Sequence, residues 1–184
     1  MKENGEKFDH SKEISVRYFV LATLFWALTI GWIIVIYVLS SENSSDSSML
    51  SHYILSLINE LLDTQITDDT LLRILAHASE FALLTLFSYM AISFTNKISN
   101  IKSYAESPLK IMRSDNEMSI VFTLWFTIIN AIADEYHQLF VIGREGTITD
   151  VLIDMVGIVI VLAIIRVVFT IYLKTMGKSE VVYT

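Results

Sequence analysis

Ten of the side chains near one end of the long apolar runs have the chemistry to hold a metal ion, move a proton or grip a polar ligand, and they fall in three short blocks. The first carries Arg73, His77 and Glu80, the second Asp134, Glu135, His137 and Gln138, and the third Arg144, Asp150 and Asp154. On helices, His77 and Glu80 share a face, as do Asp134, His137 and Gln138, and as do Asp150 and Asp154, because residues three and four apart are neighbours. Glu135 points ~100° away from the face of Asp134. Histidines beside carboxylates suit Zn²⁺ or Mn²⁺, and the expected ligands are His77, Glu80, Asp134, His137 and Asp154, with a position left for water or substrate. Such an ion acts as a Lewis acid or lowers the pKa of bound water. Without a metal, Glu80 or Asp134 would work with His77 or His137 as base and acid, and Arg144 would orient a phosphate or carboxylate. The candidate catalytic groups are therefore His77, Glu80, Asp134, Glu135 and His137. There are no cysteines, and Ser79 points off the His77–Glu80 face, so no nucleophile stands out. The spacing matches no standard zinc motif such as His-Glu-x-x-His.

The elements that carry these blocks are apolar. The chain has 184 residues, of which 53% are hydrophobic and only 18% charged, with a mean hydropathy of +0.55. A soluble domain carries about 25% charged residues, so this composition excludes a disordered chain and an ordinary soluble enzyme. Six glycines and one proline argue against a loop-rich β fold. Tyr18 to Leu39 is an uncharged run of 22 residues, long enough to cross a ~30 Å hydrocarbon core at ~1.5 Å per residue. It exceeds the ~7–15 residue apolar region of a cleavable signal peptide, and no small-x-small site follows it. Blocks 71–94, 118–142 and 150–173 are also long enough to span. The expectation is an all-α, four-helix transmembrane bundle: one membrane domain at 18–173 between tails at 1–17 and 174–184.

Basic residues set the orientation. With four crossings, Lys2, Lys7, Lys12, Arg17, Lys97, Lys102, Lys110, Arg113, Arg166, Lys174 and Lys178 fall on one side, eleven of the 13, leaving only Arg73 and Arg144 on the other. Both termini are therefore predicted to be cytoplasmic. The N-terminal basic residues are offset by Glu3, Glu6, Asp9 and Glu13, so no nucleic-acid surface is indicated. In the first outer connection, Met49, Leu50, Tyr53, Ile54, Leu57, Ile58, Leu61 and Leu62 recur at helical spacing, which predicts an amphipathic helix lying in the interface. The connection 95–117 reads as a polar, partly helical loop.

This topology brings the three blocks to one depth. His77 would lie ~9 Å, Asp134 ~12 Å and Asp154 ~6 Å below the outer surface. A charge near the bilayer centre costs at least ~2.5–3.5 kcal/mol, so these groups should turn toward one another or toward a wet cavity. Plainer roles stand beside the chemical ones. Thr147-x-x-Asp150 is a helix-capping pattern, Arg144 could pair with Glu135 or Asp150, and His77 with Glu80 could be a helix–helix hydrogen bond. Gly157 is expected to permit close helix approach. Trp26, Trp32 and Trp125 are expected to pack against lipid or neighbouring helices, and Tyr37 to sit at the interface.

His77-Ala78-Ser79-Glu80-Phe81, Asp134-Glu135-Tyr136-His137-Gln138-Leu139-Phe140, Gly143-Arg144 and Asp150-Val151-Leu152-Ile153-Asp154 resemble the motifs of the VanZ-like family of small membrane proteins. Ser40-Ser41 is similar to that family's first motif, and Arg73 to a basic position ahead of its His. The resemblance covers about residues 20 to 170. Departures are Ile74 for a common Lys, Ala78 for a usual Phe, Glu42 for a usual Gln and Ile142 for a usual Pro; none removes an acidic or His position. The resemblance implies a bacterial plasma-membrane protein with an envelope role, in a family named for an accessory protein that lowers sensitivity to teicoplanin. It adds Ser40 and Ser41 to Arg73, Gln138, Arg144, Asp150 and Asp154 as substrate-binding candidates. Three functions stay open at this point: a pocket for a membrane lipid, lipid-linked envelope molecule or lipoglycopeptide; a metal-dependent hydrolase or transferase; and a metal-free acid/base site.

Overall fold

A backbone in hydrocarbon must satisfy every N–H and C=O within the protein, which leaves the helix as the natural form for these apolar blocks. The computed structural model describes residues 13–63, 65–66, 68–100 and 108–182; Lys2, Lys7, Lys12 and Lys102, used above for orientation, lie outside them. Five helices follow in order: α1 (Val16–Ser40), α2 (Ser44–Leu62), α3 (Thr70–Asn96), α4 (Pro108–Gln138) and α5 (Ile148–Val182). Helices α1, α3, α4 and α5 are long and apolar enough to cross a membrane. A two-residue antiparallel pairing joins β1 (Glu13–Ile14) to β2 (Ser99–Asn100).

Helix α3 is central, packing against α1, α4 and α5. Its neighbours alternate in direction, so the end of α1, the start of α3, the end of α4 and the start of α5 meet at one end of the bundle. The opposite end gathers the β1–β2 pair and the Arg166–Glu117 ion pair, 3.2 Å. The described basic residues Arg17, Lys97, Lys110, Arg113, Arg166 and Lys174 belong to that opposite end, in keeping with the one-sided charge distribution.

The core between the helices consists of Ile36, Phe81, Leu84, Ala131, Ile158 and Leu162. Small hydroxyl residues fill the remaining contacts and return their donors to the backbone one turn earlier, Thr85 to Phe81 O at 2.6 Å and Thr127 to Thr123 O at 2.8 Å. That arrangement lets helices approach closely in an apolar medium. Trp26 donates to Thr95 and Trp32 to the Glu80 carbonyl, while Trp125 is exposed on the outer surface of the bundle. Just before α3, the Thr70 hydroxyl and amide hold the Asp68 carboxyl below the usual Asp range.

Helix bounds depart from the expected spans most clearly at three places. Helix α4 opens at Pro108 rather than near 118, because Pro is preorganised for a first turn and no breaker follows it; the helical part of the 95–117 connection is its end. It ends at Gln138 rather than 142, where tight turns from Phe140 N to His137 O and Val141 N to Gln138 O lead into Gly143 at φ 79°. That left-handed conformation suits glycine. Helix α5 continues past 173 to Val182. Helix α2 touches the bundle mainly at α3, and Met49, Tyr53, Leu57 and Leu61 of its apolar set are exposed.

Gly157 sits where α5 crosses α3. A Cβ there would collide with the carbonyl oxygen of Ala78, whereas a Cβ on Gly31 of α1 meets nothing. Gly157→Ala should therefore destabilise the protein by ~1–3 kcal/mol through forced separation of α3 and α5. Gly31→Ala should be neutral or stabilising by up to ~1 kcal/mol. Thermal unfolding of both variants in detergent checks the contrast.

Candidate functional site

The convergence of helix ends places the acidic and His residues together, and α4 delivers two of them to different neighbours. Asp134 faces α1. Its Oδ1 accepts from the Ser40 hydroxyl at 2.6 Å and its Oδ2 from the Gln138 amide at 3.1 Å. Ser40, Asp134 and Gln138 are all buried. One turn on, His137 Nε2 lies 3.0 Å from the Ser41 hydroxyl, and its ring stacks on Tyr37 with centroids 4.2 Å apart. Tyr37, Ser40 and Ser41 stand at i, i+3 and i+4 on α1, so one helix face meets one helix face. Arg144 reaches back to the Leu39 carbonyl at 3.4 Å. This half of the cluster is a closed hydrogen-bonded network.

Glu135, one residue on, turns to the other side. Its Oε2 accepts from the Thr147 amide at 2.9 Å and its Oε1 from Gln138 at 3.3 Å. Thr147 also caps α5: its hydroxyl accepts from the Asp150 amide at 3.1 Å and donates to Asp150 Oδ2 at 2.9 Å. The capping role read from Thr147-x-x-Asp150 is present. The turn fits tightly, since a Cβ at Gly146 would strike the Glu135 carbonyl.

His77 faces α5 rather than Glu80. Its Nδ1 lies 3.3 Å from Asp154 Oδ1, without the alignment of a hydrogen bond. Asp154 is fully buried, and neither of its oxygens accepts a hydrogen bond from the described residues. His77, Glu135 and Asp154 bring ligand atoms within 4.8 Å of one another. Glu80 is half-buried and in electrostatic range of His77, Asp134, Asp154 and Arg144. Arg73 is exposed at the rim.

All the sequence-derived candidates thus lie at one end, but in two halves. Of the five ligands expected from sequence, His77 and Asp154 come together, while Asp134 and His137 are engaged with α1. Glu135 completes the triad instead. Its direction, ~100° from the Asp134 face, is what carries it to α3 and α5. Tyr37, read as interfacial, is part of the His137 contact; its spacing from Ser40 and Ser41 was the available signal. Ser79 donates to Ala76 O and stays outside the cluster.

Ser40→Ala leaves Asp134 Oδ1 without its hydroxyl donor in a buried setting and should cost ~1–3 kcal/mol. Ser79→Ala, at an exposed local bond, should stay within ~0.5 kcal/mol. Chemical or thermal unfolding of the two variants in the same detergent measures the difference.

Comparison with known proteins agrees with the motif resemblance. No curated protein and no solved structure matches the chain. The VanZ/LLP1 family model matches residues 25–170, a range that includes most of α1, all of α3 and α4, the turn to α5 and every member of the cluster. The chain belongs to the VanZ/LLP1 family.

Proposed function

We propose that the cluster end of the bundle faces the outer leaflet of a bacterial plasma membrane, where it binds or acts on the polar part of a lipid-linked envelope molecule or lipoglycopeptide. The observation that carries this reading is a cavity of about 290 Å³ between the first turns of α3 and α5, lined by Arg73, Ile74, His77, Asp150 and Ile153 among others. It combines a cation, a carboxylate and an imidazole with apolar walls, the mixture that orients a small polar group against hydrocarbon. A second cavity of about 140 Å³ between α1, α3 and α4 is mainly apolar, with Ile33, Ile36, Phe81 and Leu84 leading to Asp134; it has room for part of a lipid chain.

The one-sided basic residues support the outward orientation of the cluster. The exposed apolar side chains of α2 support its lying in the interface beside the cavity. Lowered teicoplanin sensitivity fits the same placement, because that antibiotic bears a lipid and meets the cell at this leaflet. Hydrolysis or group transfer on the bound molecule is the second reading, favoured by the approach of His77, Glu135 and Asp154.

Expression in a teicoplanin-sensitive bacterial host tests the proposal. The wild-type chain should raise the inhibitory concentration several-fold, while His77→Ala and Asp154→Asn, inserted at equal levels, should return it to the host value. Equal protection by both variants would make the cluster structural and remove this reading.

A further inference from the structure

We propose that His77, Glu135 and Asp154 form a divalent-cation site, for Zn²⁺ or Mn²⁺, buried where α3, α4 and α5 meet. Burial and unmet valence argue for it together. Asp154 is 0% exposed and Glu135 5%, and the His77 side chain is 18% exposed. Glu135 is already oriented by the Thr147 amide and Gln138, an outer support of the kind that fixes metal ligands. Asp154 has no such support: both oxygens, and His77 Nδ1 beside them, lack a hydrogen-bond partner among the described residues. A carboxylate buried beside one imidazole, with no hydrogen bond to either oxygen, keeps much of the cost of leaving water. A cation between the three groups removes that cost.

The spacing fits. Tetrahedral ligands bound at ~2.0–2.1 Å stand ~3.3 Å from one another, and His77 Nδ1 and Asp154 Oδ1 are 3.3 Å apart. All three ligand atoms fall within 4.8 Å, so small side-chain rotations close the set. One imidazole and two carboxylates suit Zn²⁺ or Mn²⁺ over the all-oxygen preference of Mg²⁺ or Ca²⁺. His77 also lines the cavity between α3 and α5, which gives the ion a route in and leaves a coordination position turned toward a bound ligand. A phosphate-bearing headgroup, otherwise repelled by the carboxylates, gains a partner there.

The site deepens the reading of this cluster as ligand-binding and rests on it, yet the two fail separately. The experiment is metal analysis of tag-free, detergent-purified protein, as isolated and after chelator treatment and reloading with Zn²⁺ or Mn²⁺. Wild type should carry about one ion per chain, and Glu135→Gln and Asp154→Asn less than about a tenth of that. Asp134→Asn and His137→Ala, altered in the α1 half, should keep theirs. Glu135→Gln retains an oxygen for the Thr147 amide, so its loss of metal is not explained by an opened turn. If a variant does not yield folded protein, wild type decides alone: reloading with Zn²⁺ or Mn²⁺ but not Mg²⁺ should raise its Tm. No uptake by reloaded wild type, or equal loss from Asp134→Asn and Asp154→Asn, overturns the site. Metal-free protein that still protects cells from teicoplanin removes the ion and leaves the lipid reading; metal-loaded protein that does not protect does the reverse.

Discussion

Hydrocarbon offers no partner to a polar group, and most of this bundle is arranged to meet that constraint internally. Hydroxyls return to the carbonyl one turn back, Tyr89 donates to Asn116, and Asn96 to Ser119. The same rule organises the acidic end, where Ser40, Gln138 and the Thr147 amide supply donors to Asp134 and Glu135. Two buried groups escape it among the described residues without a hydrogen-bonded oxygen, Thr123 and Asp154. A neutral hydroxyl costs little by comparison, whereas a carboxylate does not. Among the described carboxylates, the unmet demand is therefore concentrated at Asp154, beside the equally unmatched His77 Nδ1.

The division of the cluster follows from helix geometry. Adjacent residues on α4 point ~100° apart, so Asp134 and Glu135 serve different neighbours from nearly the same height. On the α1 side the result is a fastening, with Ser40, Ser41 and Tyr37 gripping Asp134 and His137. On the α3–α5 side, His77, Glu135 and Asp154 approach one another beside a cavity. Trp32, donating to the Glu80 carbonyl, ties α1 to α3 near the same level, so the closed half braces the open one.

The four apolar helices were legible because hydropathy and length decide them almost alone, and the gathering of the polar residues at one end followed from counting along them. The Thr147 cap could be read from three residues of local pattern, and the close approach at Gly157 from residue size. Which acid meets which His was not legible. Faces on one helix can be drawn from spacing, but the rotation of each helix against its neighbours is set by packing, and that rotation is what joins Glu135 rather than Asp134 or His137 to His77 and Asp154. Hydropathy does not give the helix bounds near 108 and 138: charged residues at a span's end do not stop a helix, while the turns after Gln138 end one without a break in hydropathy.

The contact at Gly157 is one of backbone with backbone. What presses on it is the backbone carbonyl of Ala78, not the Ala78 side chain. Position 157 is therefore fixed by main-chain shape and has no smaller residue to exchange for. Position 78 supplies its carbonyl at that crossing, and its side chain is not among the nearest atoms that a Cβ at 157 would meet. The approach of α3 to α5, and so of His77 to Asp154, is set there by backbone against backbone.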